Sequence, residues 1–289
     1  MSILEIKNLT KYYGKTKGVV DLSLELHEGE IFGFIGPNGS GKSTTIRSIL
    51  DLINKTNGEV WFNGKIFDKN DILSKKLIGY LPSEVKLYTD LTVKQMLDFH
   101  ERFYKEDFSE RRKELVTRLR LDESKKVEDL SLGNSKKLGI VLALMHNPRL
   151  LILDEPTSGL DPIIQKEFFN LLLEEKHQGT TIFYSTHILS EISKLCDRVG
   201  IIKNGQLLKV EHVKDLIDKN LSNITITSLE CERIIKELSI NPIIHTNDTI
   251  MFKNTDNANV LLKKLINYDI SKIYIEQASL EDIFLHYYE

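Results

Sequence analysis

Gly36-Pro37-Asn38-Gly39-Ser40-Gly41-Lys42-Ser43 decides the fold of this chain. Before it stands Glu30-Ile31-Phe32-Gly33-Phe34-Ile35, a short strand-like apolar run, and after it Ser43 to Leu50 reads as a helix. Strand, G-x-x-x-x-G-K-S loop and helix together make a phosphate-binding unit. The glycines let the backbone turn tightly and approach a phosphate without a Cβ in the way. Successive backbone N–H groups form an anion nest, to which the following helix adds its positive end. Lys42 is long enough to reach the β- and γ-phosphates of a nucleoside triphosphate, and the Ser43 hydroxyl can ligate Mg²⁺.

A second stretch lies more than a hundred residues on. Leu150-Leu151-Ile152-Leu153-Asp154-Glu155 is an apolar run ending in two carboxylates, the pattern of a buried parallel strand delivering acid to a magnesium site. Asp154 suits the metal shell, and Glu155 suits polarisation of an attacking water. Both also suit the plain polar end of a buried strand, and the phosphate loop upstream weighs against that. Ser185-Thr186-His187 follows the run Thr181-Ile182-Phe183-Tyr184 and so ends another strand, at the edge where α/β sheets gather ligands. His187 there can reach a γ-phosphate or fix the water and Glu155, and a structural or solvated histidine fits the same pattern. Tyr12-Tyr13-Gly14 offers an aromatic face for a base, or ordinary core and surface tyrosines. Leu130-Ser131-Leu132-Gly133-Asn134 precedes an amphipathic helix beginning near Ser135, and is either a second anion site or a serine N-cap with a flexible glycine.

Composition bounds the rest. The 289 residues are 41% hydrophobic and 28% charged, with 39 basic against 42 acidic side chains and a net charge of −3. That balance gives no support to a nucleic-acid surface driven by bulk positive charge. The two cysteines, Cys196 and Cys231, have no metal-like spacing and read as reduced, core-like thiols. The N-terminus carries no signal-peptide core, and no apolar run approaches the ~20 residues needed to cross a bilayer. Any membrane role is therefore expected to come from a partner chain.

Residues 3–35 read as short strands, and 56–67 as a hairpin turning at Asn63-Gly64. Residues 92–120 are charged and helix-periodic. From 130 to 202, helices (135–146, 162–177, 188–195) alternate with strands (150–154, 180–184, 198–202), which implies a mostly parallel sheet with helices around it. Beyond about 215 the order strand (223–227), helix (231–238), strands (242–246, 249–253), helix (257–267), strand (272–276) is that of a ferredoxin-like split unit, closed by a short helix from Leu280. The fold class is α/β: a P-loop NTPase core with antiparallel β and helical subdomains over residues 1–215, and a small α+β accessory module over 216–289.

Over residues 3 to 215 the chain resembles the nucleotide-binding subunit of an ABC transporter. Gly36 to Ser43 resembles Walker A, Leu150 to Glu155 Walker B, Pro156-Thr157-Ser158-Gly159-Leu160-Asp161 the D-loop, Ser185-Thr186-His187 the switch histidine and Leu130 to Asn134 the signature. The resemblance implies ATP and Mg²⁺ as ligands. The nucleotide would be held by Tyr13, Gly36, Pro37, Asn38, Gly39, Ser40, Gly41, Lys42, Ser43 and Thr44. Glu155 would be the general base, His187 would contact the γ-phosphate, and Ser43, Asp154 and Ser83 would serve the metal. Ser131, Gly133 and Asp161 would act across a dimer, on nucleotide held by a second ATP-binding subunit, identical or not. An integral-membrane permease is the other implied partner, with the chain peripheral on the cytoplasmic face of the membrane and soluble when isolated; no nucleic acid is expected. Ala278-Ser279-Leu280-Glu281-Asp282-Ile283-Phe284-Leu285 resembles the tail of drug- and antibiotic-resistance exporters. ATPases acting on ribosomes usually carry two cassettes in one chain, and DNA-repair ATPases separate the two Walker motifs with a long coiled coil. Neither pattern is found here. Two departures stand out. Leu132 and Asn134 occupy the third and fifth places of a signature usually written Leu-Ser-Gly-Gly-Gln. Ser83, followed by Glu84, stands where the family places a glutamine that touches magnesium and the water. Serine can ligate magnesium but is shorter, so a water would bridge the gap. Val85 to Glu106, with Leu87, Tyr88, Phe99, Phe103 and Tyr104, is either the permease contact or the core of the helical subdomain.

Overall fold

The computed structural model describes residues 2–104, 106–218, 222–254 and 258–277. The chain divides into two compact units, Met1–Glu211 and His212–Glu289.

The first unit opens with β1 (Ser2–Tyr13), β2 (Thr16–His27), β3 (Ile31–Ile35), α1 (Lys42–Ile49), β4 (Asn57–Phe62), β5 (Lys65–Ile66), α2 (Ile72–Lys75) and β6 (Ile78–Leu81). After α3 (Val93–Glu101), α4 (Ser109–Arg118) and α5 (Leu132–Leu144) come β7 (Leu150–Asp154), α6 (Pro162–His177), β8 (Thr181–Thr186), α7 (Leu189–Leu195), β9 (Arg198–Lys203) and β10 (Gln206–His212). A six-stranded sheet runs β10-β9-β3-β8-β7-β6, with β9, β3, β8, β7 and β6 parallel. Every residue of β3, β7 and β8 is buried, as expected for central strands covered on both faces. Register sets the site. Ile35 pairs with Thr186, Asp154 with Ser185 and Leu81 with Leu153, so four strands end at one edge.

A separate antiparallel sheet, β2-β1-β4-β5, packs onto this core. Leu4, Ile6, Leu24, Leu26, Val60 and Phe62 alternate inward and join Phe32, Phe34, Ile46 and Ile49 in one cluster. Each such side chain contributes roughly 1.5–3 kcal/mol by leaving water. The first two strands run longer than their apolar alternation suggests, because β1 and β2 pair as far as Tyr13 and Thr16. The Asn63-Gly64 turn is present, with φ of 49° and 72° joining Phe62 to Lys65. Two positive φ values match the right-handed twist of the strands.

The charged stretch 92–120 is two helices. A Thr92/Gln95 capping box starts α3. The chain leaves the helix at Arg102, which lets Tyr104 lie flat on His146 (4.8 Å between centroids) and buries Phe108. Arg111 pairs with Glu175, and Arg118 reaches Glu167 at 2.6 Å and Glu174 at 2.5 Å, tying α4 to α6. Ser131 is itself the N-cap of α5, so this helix starts before Ser135. Its polar first turn hides it from a reading of apolar period.

In the second unit α8 (Val213–Asp218) precedes β11 (Ser222–Thr227), α9 (Cys231–Leu238), β12 (Ile244–His245), β13 (Thr249–Asn254), α10 (Ala258–Leu265) and β14 (Lys272–Gln277). Its antiparallel sheet runs β12-β13-β11-β14. Ile224, Ile226, Ile234, Ile250, Phe252, Leu261 and Leu265 form its own core. Cys196 and Cys231 are both free and buried. The Ala278 to Leu285 resemblance and the helix from Leu280 lie outside the described residues.

His146 is 8% exposed, its Nε2 donates to the Ile78 carbonyl (3.3 Å), and its ring lies 5.7 Å from that of His100. Burial first, and then His100 beside it, lowers its pKa to about 4. Below the unfolded-state value of about 6.5 the unfolded chain takes up a proton that the folded one refuses, so this contribution to stability is present above pH 6.5 and is lost toward pH 4. Its Tm should therefore fall as pH drops from 7 to 5, and less steeply in His146→Phe; equal slopes in thermal melts of the two proteins would contradict this.

Candidate nucleotide site

The loop between β3 and α1 turns on itself, with Ser40 N–H donating to the Pro37 carbonyl (3.1 Å) and Thr45 N–H to that of Gly41 (2.9 Å). Two glycines are required by space as well as by turn. A Cβ on Gly36 would lie 2.4 Å from the Ile202 carbonyl oxygen. Gly41 has φ of 109°, and its Cβ would lie 2.7 Å from the Gly18 carbonyl oxygen. Lys42 begins α1 and is only 6% exposed, yet its ammonium has three oxygens around it. It donates to the carbonyls of Gly36 (2.7 Å) and Pro37 (3.3 Å) and lies 3.3 Å from Glu155 Oε1.

Glu155 leaves β7 with φ of 49°, a left-handed conformation that costs a non-glycine residue about 1 kcal/mol, and its N–H is held by the Ser185 carbonyl at 3.0 Å. This turn carries its side chain to Lys42 on one oxygen and to His187 Nδ1 on the other, at 2.8 Å. Lys42, Glu155 and His187 thus form one hydrogen-bonded and ionic chain across three strand ends. Glu155 is partly buried and His187 half exposed. A cleft of about 360 Å³ opens over Lys42 and Glu155, lined also by Tyr13, Asn38, Gly39, Gly41, Ser43 and Thr44, and by Thr16, Lys17 and Gly18; His187 is not in its lining. Tyr13 is 47% exposed, with the Lys11 ammonium 4.9 Å from its ring centre.

Asp154 behaves differently from its neighbour. It is fully buried, with Ser185 Oγ donating to Oδ1 at 3.3 Å and Oδ2 having no hydrogen-bond partner among the described residues. A buried carboxylate oxygen without a donor is costly unless something cationic meets it. With the hydroxyl of Ser43 in the adjoining cleft, the donor set is hard oxygen, which fits Mg²⁺. Ser83 lies two residues beyond the end of β6, and its carbonyl accepts from Lys136 Nζ at 2.9 Å. Lys136 lies on α5, is 2% exposed and also donates to the Pro82 carbonyl (3.2 Å). Burial lowers its pKa, and the charges of Asp154 and Glu155 oppose that shift.

Ser131, Gly133 and Asp161 do not line this cleft. Ser131 Oγ accepts from Asn134 N–H (3.4 Å) as the cap of α5, and Gly133 sits in the first turn, where a Cβ would meet the Gly159 carbonyl oxygen at 2.7 Å. The signature and D-loop segments of one chain therefore touch each other. Asp161 caps α6, accepting from the N–H groups of Ile163 and Ile164 at 3.0 Å each, with Pro162 next in the helix. Those N–H bonds, Ile164 first, hold its carboxyl below the usual range. Three lining residues, Thr16 to Gly18, escape motif reading; Gly18 alone leaves a trace, as a glycine inside a strand pattern.

The ABC transporter family profile matches residues 19–158. The bacitracin transport ATP-binding protein BcrA of Bacillus licheniformis is 36% identical, over 98% of this chain and 96% of that protein. The linearmycin resistance ATP-binding protein LnrL of Bacillus subtilis (strain 168) is 35% identical, over 85% of this chain and 81% of its own. Among solved structures, the dimeric post-hydrolysis state of the ATP-binding cassette MJ0796, bound to ADP and Pi, superposes with a TM-score of 0.66 at 26% identity, covering 73% of this chain and 98% of that one.

Replacing Gly41 by Ala should destabilise the fold by roughly 1–3 kcal/mol, since left-handed strain and a backbone clash add together. It should also weaken retention of a nonhydrolysable ATP analogue, measured by titration at a temperature where the variant is folded. Wild-type affinity and Tm together would show that the loop tolerates a side chain.

Proposed function

The chain belongs to the ATP-binding proteins of ABC transporters, and from that membership we propose how its residues do the work of an ATP-hydrolysing subunit that powers a membrane transporter. The observation that carries the reading is the Lys42–Glu155–His187 chain beneath the cleft. ATP would lie with its base against Tyr13 and its phosphates over residues Gly36 to Thr44. The γ-phosphate draws Lys42 away from Glu155, exchanging one carboxylate for phosphate oxygens. Glu155 is then free to accept a hydrogen bond from the attacking water, while His187 holds both Glu155 and the γ-phosphate. Magnesium, held by Ser43 and Asp154 with Ser83 at longer reach, would neutralise charge developing on the transferred group. Little covalent chemistry is required; positioned charge supplies most of the catalysis.

Two such subunits would close head to tail, Ser131, Gly133 and Asp161 of one chain meeting the nucleotide on the other. Their absence from this chain's own cleft supports that arrangement. Hydrolysis removes the shared γ-phosphate contact and favours opening. Closing and opening would move a membrane permease seated beyond Ser83. Support for that surface comes from Tyr88 and Phe103, both more than half exposed, packed edge to face on Phe99 at 5.6 and 5.1 Å. Tyr104, by contrast, packs inward on His146. No helix among the described residues is long and apolar enough to cross a membrane; on the likeness to the transport ATP-binding relatives the membrane part is assigned to that partner, with this chain peripheral on the cytoplasmic face. The bacitracin and linearmycin relatives support an exporter over a soluble ATPase acting on ribosomes or DNA. Residues 1–215 are assigned to the ATP-binding domain and 216–289 to an accessory module.

Glu155→Gln should lower turnover about a hundredfold or more while keeping ATP bound, and a dimer should accumulate with ATP in size-exclusion chromatography. Undiminished turnover would remove Glu155 as the base. Lys42→Ala should lose nucleotide affinity in a direct titration. Ser83→Gln should leave turnover unchanged or raise it; a large loss would give the serine a dedicated role.

A further inference from the structure

Glu191 is a buried carboxylate that the mechanism above leaves unused. It lies on α7, is 2% exposed, and accepts four hydrogen bonds. Thr157 Oγ1 (2.7 Å) and Gln165 Nε2 (3.0 Å) donate to Oε1, and Tyr184 Oη (3.0 Å) and Thr186 Oγ1 (2.7 Å) to Oε2. Burial, and then the Glu191 charge, pushes the Tyr184 hydroxyl well up, so it stays a donor. If a bland filling of space were needed, an apolar side chain would serve at less cost than a desolvated carboxylate.

What matters is where the four donors sit. Thr157 is two residues past Glu155, and Thr186 immediately precedes His187. The Thr186 hydroxyl also accepts from Ile188 N–H at 3.0 Å, so the backbone is tied on both sides of His187. Gln165 belongs to α6, directly downstream of the Asp161 cap. The Glu155–His187 contact itself is half exposed at the histidine, and a polar contact so placed is too weak to hold its own geometry. Glu155 is also in a left-handed conformation, which persists only where its surroundings over-determine it.

We propose that Glu191 is a positioning residue for ATP hydrolysis: by holding Thr157 and Thr186 on one carboxylate it sets the spacing of Glu155 and His187 and makes the loops after β7 and β8 move as one. This rests on the roles assigned to Glu155 and His187 above. Nucleotide binding by the phosphate loop lies outside the Glu191 network, so a defect there should appear in kcat and spare KM.

The test uses the full chain with its membrane partner and measures kcat, KM for ATP and Tm. Glu191→Gln keeps the shape but presents an amide donor to donors; it should lower kcat about tenfold with KM within about twofold of wild type. Thr186→Val should do the same, and Thr186→Ser, which restores the hydroxyl, should recover most of the loss. In the Glu191→Gln background, Thr186→Val should cost nothing further. A fall in Tm with kcat within twofold of wild type would reduce Glu191 to a structural group and overturn the proposal, as would full additivity of the two substitutions. If Glu191→Gln does not fold, the Thr186 valine and serine variants decide alone. Glu155→Gln and His187→Ala run alongside. Wild-type turnover in those two would sink the catalytic assignment itself, whereas their loss with Glu191 and Thr186 variants unimpaired would sink only the positioning role.

Discussion

The parallel ladder through β6, β7, β8 and β3 is the constraint on which the site depends. Because Leu81, Leu153 and Tyr184 stand level, as do Asp154 with Ser185 and Ile35 with Thr186, four loops leave the sheet along one edge. Parallel strands run to the same edge only through crossovers, here the helices that cover both faces. β7 is buried along its whole length, and slipping it by one residue would take Asp154 out of line with Ser185 and turn its side chains to the opposite faces. The chemistry at the edge thus follows from the packing beneath it.

Within that edge, four carboxylates of similar intrinsic acidity are put to different uses by environment alone. Asp154 is fully buried and has one oxygen without a hydrogen-bond partner among the described residues. Glu155 is partly exposed and shared between a lysine and a histidine. Asp161 is spent on two backbone N–H groups at the start of α6. Glu191 is buried under four donors. The first suits a cation, the second a water, the third a helix terminus and the fourth a mechanical tie. Lys42 shows the same dependence on surroundings: buried at the start of α1, it is folded onto two carbonyls and Glu155.

The helical segment is attached to the core by charge as well as by apolar contact. Arg111 and Arg118 on α4 meet Glu167, Glu174 and Glu175 on α6, and Lys136 on α5 meets the backbone after β6. Ion pairs with an exposed partner are individually weak and sensitive to salt. The second unit, by contrast, closes over its own apolar cluster and has no cluster of metal-ligand residues among those described.

The sequence by itself determined what is local. Gly36 to Ser43 specifies a strand-loop-helix because each residue's role is met by its neighbours, and Asn63-Gly64 specifies a turn for the same reason. The apolar runs Leu150 to Leu153 and Ile182 to Tyr184 marked Asp154 and His187 as lying at the ends of buried strands, which was enough to predict that they share an edge. Only the tertiary structure decided the rest. That Glu155 turns left-handed toward Lys42, that residues 92–120 break so Tyr104 can meet His146, that Thr16 to Gly18 wall the cleft, and that Lys136 and Glu191 reach backbone and hydroxyls on other elements all depend on partners that the fold brings together. No periodicity or spacing encodes such contacts, because burial of a charged side chain becomes affordable only once the groups that satisfy it have been brought together.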